Sequence, residues 1–87
     1  MIAPELMQKL FVADALAPAL HTRADFVQRL FEAEIRPLVL DQVMPLDGRG
    51  RRAVALYRRE LAGLADQMRD YSTHLRDICD HLVRLGF

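Results

Sequence analysis

The stretch RRAVALYRRELAGLADQMRDYSTHLRDICDHLVRL, residues 51–85, decides the fold. Its apolar residues Val54, Tyr57, Leu61, Leu64, Met68, Tyr71, Leu75, Ile78, Leu82 and Leu85 alternate at spacings of three and four. Such a stripe stays on one face of a helix wound at about 3.5 residues per turn, so it reads as a heptad seam. No proline interrupts it, and Gly63 falls at a c position, off the seam. A helix this long spans roughly 50 Å. It needs cover along its whole length, and Met68 and Leu75, at a positions near its centre, are expected to be buried by that cover.

Upstream, Pro45-Leu46-Asp47-Gly48-Arg49-Gly50 carries a proline, an Asp-Gly pair and a second glycine, which is turn chemistry. A connection this short predicts an antiparallel helical hairpin. Its other arm is expected over residues 23–44, N-capped by Thr22, with Asp25 three residues on at the positive end of the helix dipole. Phe26, Leu30, Ala33, Pro37, Leu40 and Met44 line one face of this arm, and Val27, Phe31, Ile35 and Leu38 lie beside them. Pro37 is expected to bend or split it. An N-terminal helix is expected over 4–16, opened by Pro4 and ended by Pro18, which pushes Ala17 out of the α region. Gly86 is placed to end the long helix. The whole is one all-α domain, residues 1–87.

A hairpin turning near residue 47 would pair position n with about position 95 − n. Residues 73–85 would then overhang, and the N-terminal helix either continues in line to cover them or folds back. A broad second arm stays half covered in both cases, so the expectation is a homodimer in a helical bundle. The seam does not favour a parallel zipper, because its a row, Val54, Leu61, Met68, Leu75 and Leu82, is not consistently β-branched. The e positions Ala65, Ser72 and Cys79 are small and allow another helix to approach.

With 52% hydrophobic and 28% charged residues, the chain is globular rather than disordered. Twelve basic and twelve acidic residues cancel, so no overall field steers it to nucleic acid or membrane. One cysteine precludes an internal disulfide and fits a reducing compartment. Glu5 and Lys9 argue against a signal peptide, and no apolar run is long enough for a membrane span. A cytoplasmic protein is expected.

Two clusters invite a functional reading. Arg49, Arg51, Arg52, Arg58 and Arg59 precede the first acid of the long helix, Glu60. They suit an anionic partner such as a nucleic-acid phosphate. The bland reading is pairing with the acidic first half, since residues 1–48 hold seven acids against four bases. No DNA-reading motif accompanies them. His74, Asp77 and His81 share a helix side, yet the Glu-x-x-His pattern of bundle metal sites does not occur, so neither metal nor cofactor is expected. Cys79 reads as a small packing residue. No phosphate loop or nucleophile elbow is present, and no enzyme is expected.

The expected function is therefore a small interaction module (adaptor, inhibitor or secretion-type chaperone) that binds another protein through apolar helix faces. Leu6, Leu10, Phe11, Phe26 and Phe31 are the expected anchors. The alternative is a nucleic-acid-associated dimer using Arg49, Arg51, Arg52, Arg58 and Arg59.

Overall fold

The structure, a computed structural model, describes residues 3–41 and 45–87. It is a helical hairpin. One arm contains α1 (Pro4–Leu30), a wide turn at Phe31–Ile35 and α2 (Arg36–Leu40); the other is α3 (Gly48–Arg84). No strand occurs among the described residues, and no helix among them is long and apolar enough to cross a membrane. The hairpin measures 60 × 17 × 17 Å, with a radius of gyration of 19.0 Å. A compact chain of this length would have a radius of about 12 Å, so the molecule is a rod.

The first arm differs from the expectation of two separate helices over 4–16 and 23–44. Pro18 does not end the first helix: α1 runs through it to Leu30. Pro18 withholds one backbone hydrogen bond, a local loss of about 3 kcal/mol against alanine. Continuation keeps both halves of α1 on α3, and a break would leave the last turns of α3 bare. Thr22 is accordingly no N-cap; its hydroxyl donates to the Pro18 carbonyl at 2.9 Å, inside the helix. The first arm thus continues in line to cover the overhang, the first of the two courses considered for it.

Pro37 acts where expected, through a widened turn. The Arg36 amide donates to the Phe31 carbonyl, five residues back, so Phe31–Ile35 is π-helical. A proline ring in a regular α-helix collides with the carbonyl four residues earlier, here that of Ala33. The extra residue in the turn relieves that collision, and α2 resumes with Pro37 in its first turn. Val43 and Met44, expected at the end of this arm, lie outside the described residues.

The second arm starts earlier than the expected residue 51. Asp47 is its N-cap, and the Gly50 amide donates to Asp47 Oδ1 at 2.7 Å. An aspartate there satisfies an orphan amide and suits the helix dipole, so Gly48 and Gly50 become helical. With the turn centred earlier, the register shifts. Arg23 meets Glu60 and Phe31 meets Tyr57, instead of Ser72 and Leu64. Gly86 ends the rod as expected, at φ 94°.

The packed face of α3 is also displaced. The d row, Tyr57, Leu64, Tyr71 and Ile78, and the g row, Glu60, Gln67, His74 and His81, are half-buried or buried against the first arm. The middle of the a row is not covered: Leu61 is 43% exposed, Met68 54% and Leu75 41%. The expected burial of Met68 and Leu75 therefore does not occur within one chain. Cys79 is exposed too, rather than packed. The cause is on α1. Lys9 and Arg23 lie on one side of its contact face and take partners among the c and g residues of α3, which draws α1 to that side. A single helix covers about two rows of another, and the a row is left over. Ala13 and Val27, each 5% exposed, are the only fully buried apolar residues among those described.

Candidate interaction site

At the open end of the rod, α1 begins beside the last turns of α3. Ala3, Leu6 and Leu10 form one wall of a cleft of about 360 Å³. Ile78, Leu82 and Leu85 form the other, and Phe87 closes the lip. The lip depends on Gly86. Its left-handed conformation turns the chain back, so the Gly86 amide donates to the Val83 carbonyl and the Phe87 amide to the Leu82 carbonyl, both at 3.0 Å. This helix ending brings its final residue towards the one five before it, here Phe87 and Leu82. The volume lies within the range of small ligand pockets. Its hydrocarbon walls can take up apolar side chains and hold no group that would make or break bonds.

Beside the cleft, Lys9 links the two arms. Its ammonium lies 3.2 Å from Asp77 Oδ2, 3.8 Å from Glu5 Oε1 and 3.2 Å from His81 Nδ1. An ammonium has donors only, so His81 Nδ1 accepts and the ring proton sits on Nε2. His81 is 7% exposed, the one buried polar side chain among those described. His74 Nδ1 donates to the Asp70 carbonyl at 3.1 Å. His74 is thus turned to its own backbone, whereas Asp77 and His81 both face Lys9, and among the described residues no three histidine, cysteine or acidic side chains gather as metal ligands.

The five expected anchors do not form one surface. Leu6 and Leu10 meet in the terminal cleft. Phe11 is 67% exposed and projects from the outer side of α1. Phe26, 47% exposed, lies on the flank with Arg23, Glu60 and Gln67. Phe31 is half-buried, its ring 5.9 Å from that of Tyr57. Ile78, Leu82, Leu85 and Phe87 were not among the expected anchors. Their signal was the Gly86-Phe87 ending itself, since a glycine in that place folds the following residue onto the helix.

Arg49, Arg51, Arg52, Arg58 and Arg59 are all exposed, at the loop end of the rod. Arg51 donates to the Leu46 carbonyl at 3.2 Å. Arg49 and Arg52 border a shallow cleft with Leu30 and Glu34. Among the described residues none of the five has an ion-pair partner within 4.0 Å. Three acids of the first arm, Glu5, Asp25 and Glu32, pair instead with Lys9, Arg29 and Arg36. Compared with protein families, curated proteins and solved structures, the chain matches none of them.

Proposed function

We propose that this chain is a small, non-enzymatic interaction module that pairs with a second copy in a helical bundle and binds another protein through apolar helix faces. Adaptors, inhibitors and secretion-type chaperones work in this way. The observation that carries the reading is the terminal cleft, where Leu6 and Leu10 meet Ile78, Leu82 and Leu85 in an almost wholly apolar surface. A partner helix or extended segment could bury apolar side chains there, each contributing about 1.5–3 kcal/mol when fully covered. A free, exposed Cys79 fits the reducing cytoplasm, where we place the protein.

The test is capture of a partner from the source cells at high salt, by the wild type and by Leu10→Asp and Leu85→Asp. Both positions are exposed, so the hairpin tolerates the change. Capture should fall roughly tenfold or more, about 1.4 kcal/mol, with the helical spectrum unchanged. Arg51, Arg52, Arg58 and Arg59 changed together to Gln should leave capture intact.

A second reading has its own observation. The five guanidinium groups near the positive end of α3, without an ion-pair partner among the described residues, suit a polyanion, and nucleic acid is the alternative partner. Capture that survives the cleft variants but fails with the arginine variant, together with salt-sensitive binding to generic duplex, would transfer the function to that end.

A further inference from the structure

The middle of the a row of α3 is left open by the chain itself. Leu61, Met68 and Leu75 stand 41–54% exposed at the middle of the rod. Beyond the row lie the small e residues Ala65, Ser72 and Cys79, all exposed. We infer that a second copy of this chain covers this face, with the two α3 helices antiparallel and the two-fold axis near Met68. The inference rests on the bundle reading above and specifies its face and direction.

Area supports the occupant. A compact folded chain of this mass exposes about 5,200 Å². This chain exposes 6819 Å², an excess of about 1,600 Å² per copy over that expectation. Two copies could hide about 3,000 Å² between them, within the range of obligate homodimers. The spacing supports the symmetry. An axis at Met68 sets Leu61 against the other copy's Leu75 and Val54 against its Leu82, so the row maps onto itself. It also overlaps α3 along almost its whole length.

Charge supports the direction. Residues 49–59 of α3 hold five arginines and no acid, whereas residues 66–80 hold four aspartates and two arginines. A parallel pair would set the two arginine clusters side by side. An antiparallel pair with its axis at Met68 sets residues 49–59 against residues 77–87 of the other copy, so the Arg58-Arg59 end of each cluster comes beside the other copy's Asp77 and Asp80, and it opposes the helix dipoles as well. Packed helices lie 8–10 Å apart, about one Debye length at physiological salt, so these charges act across the interface.

Sedimentation of the wild type should give a mass twice the 10.0 kDa chain at micromolar concentration. Single cysteines placed in a Cys79→Ser background then read face and direction by mild oxidation. The Met68→Cys chain should link to itself. The Leu61→Cys and Leu75→Cys chains should each stay unlinked alone, and link when mixed and refolded together. Self-linking of Leu61→Cys and of Leu75→Cys without mixing would make the pair parallel and overturn the inference. A doubled mass with no link at any of the three positions would place the interface elsewhere and overturn it equally. A wild-type mass of 10.0 kDa throughout would overturn it without any variant. Partner capture by Leu10 and Leu85 is a separate measurement, so failure of the pairing and failure of the terminal cleft are told apart.

Discussion

His81 is buried at the end of the rod, and its Nδ1 relies on Lys9, 72 residues away in sequence. That contact, together with the Lys9–Asp77 ion pair, ties the start of α1 to the end of α3. A buried acceptor that loses its donor costs about 1–3 kcal/mol, whereas loss of both polar partners together costs little. Lys9→Met should therefore lower stability by about 1–3 kcal/mol, and adding His81→Leu should recover most of it. Denaturant midpoints of the single and double variants check this; equal loss in both would mean that Lys9 acts through its packing and its acidic partners rather than through His81. Gly63 is a second residue whose place depends on the other arm. It was read as off the seam, but a Cβ there would overlap the guanidinium of Arg23, which bonds Glu60 at 3.3 Å. The absent side chain makes room for the ion pair that helps draw α1 towards the g row.

At the scale of the element, α1 keeps a proline in its interior and remains one helix. Pro18 leaves the Asp14 carbonyl without its usual amide. Thr22 adds a bond at the Pro18 carbonyl but cannot replace the missing one. Pro18→Ala restores the donor and removes the ring. The intrinsic gain is about 3 kcal/mol, and a helix already adjusted to proline should return about 1–3 of that. The denaturation midpoint should rise with an unchanged slope. An unchanged midpoint would mean that the proline's local bend is itself needed for packing on α3. Pro37 differs, because its collision is absorbed by the π-helical turn, so the two prolines leave different marks on one arm.

For the whole molecule, a rod with two buried apolar residues among those described has little interior of its own. Leu75 measures how much cover it gains. In a lone hairpin its side chain is already 41% exposed, and Leu75→Ala should cost under about 1.5 kcal/mol, since little burial is lost. Beneath a second copy the same change should cost roughly 2–5 kcal/mol through lost burial and the cavity left behind. We expect the larger value, and a wild-type midpoint that falls on dilution, as linkage between folding and association requires. Arg69→Ala is the control: exposed and paired with Asp66 only at the surface, it should cost less than about 0.5 kcal/mol. A small Leu75→Ala effect at every concentration would leave the rod to stand alone.

The helical class, the long second arm, the hairpin turn and the glycine ending were all legible in residues 45–87. Each is a local matter: a heptad spacing, an Asp-Gly turn, a glycine suited to positive φ. The sequence also showed that Leu6, Leu10 and the arginine cluster stood out, though not that Leu82, Leu85 and Phe87 complete a cleft around the first two. Tertiary structure decided whether Pro18 would break its helix, because about 3 kcal/mol of local preference competes with packing along the length of α3. It also decided which side of the seam would be covered. Periodicity tells which residues share a face, but α1 spans only two of the three adjoining rows. The choice fell to Lys9, Arg23 and the recess at Gly63, long-range partners whose meeting depends on the register of the two arms.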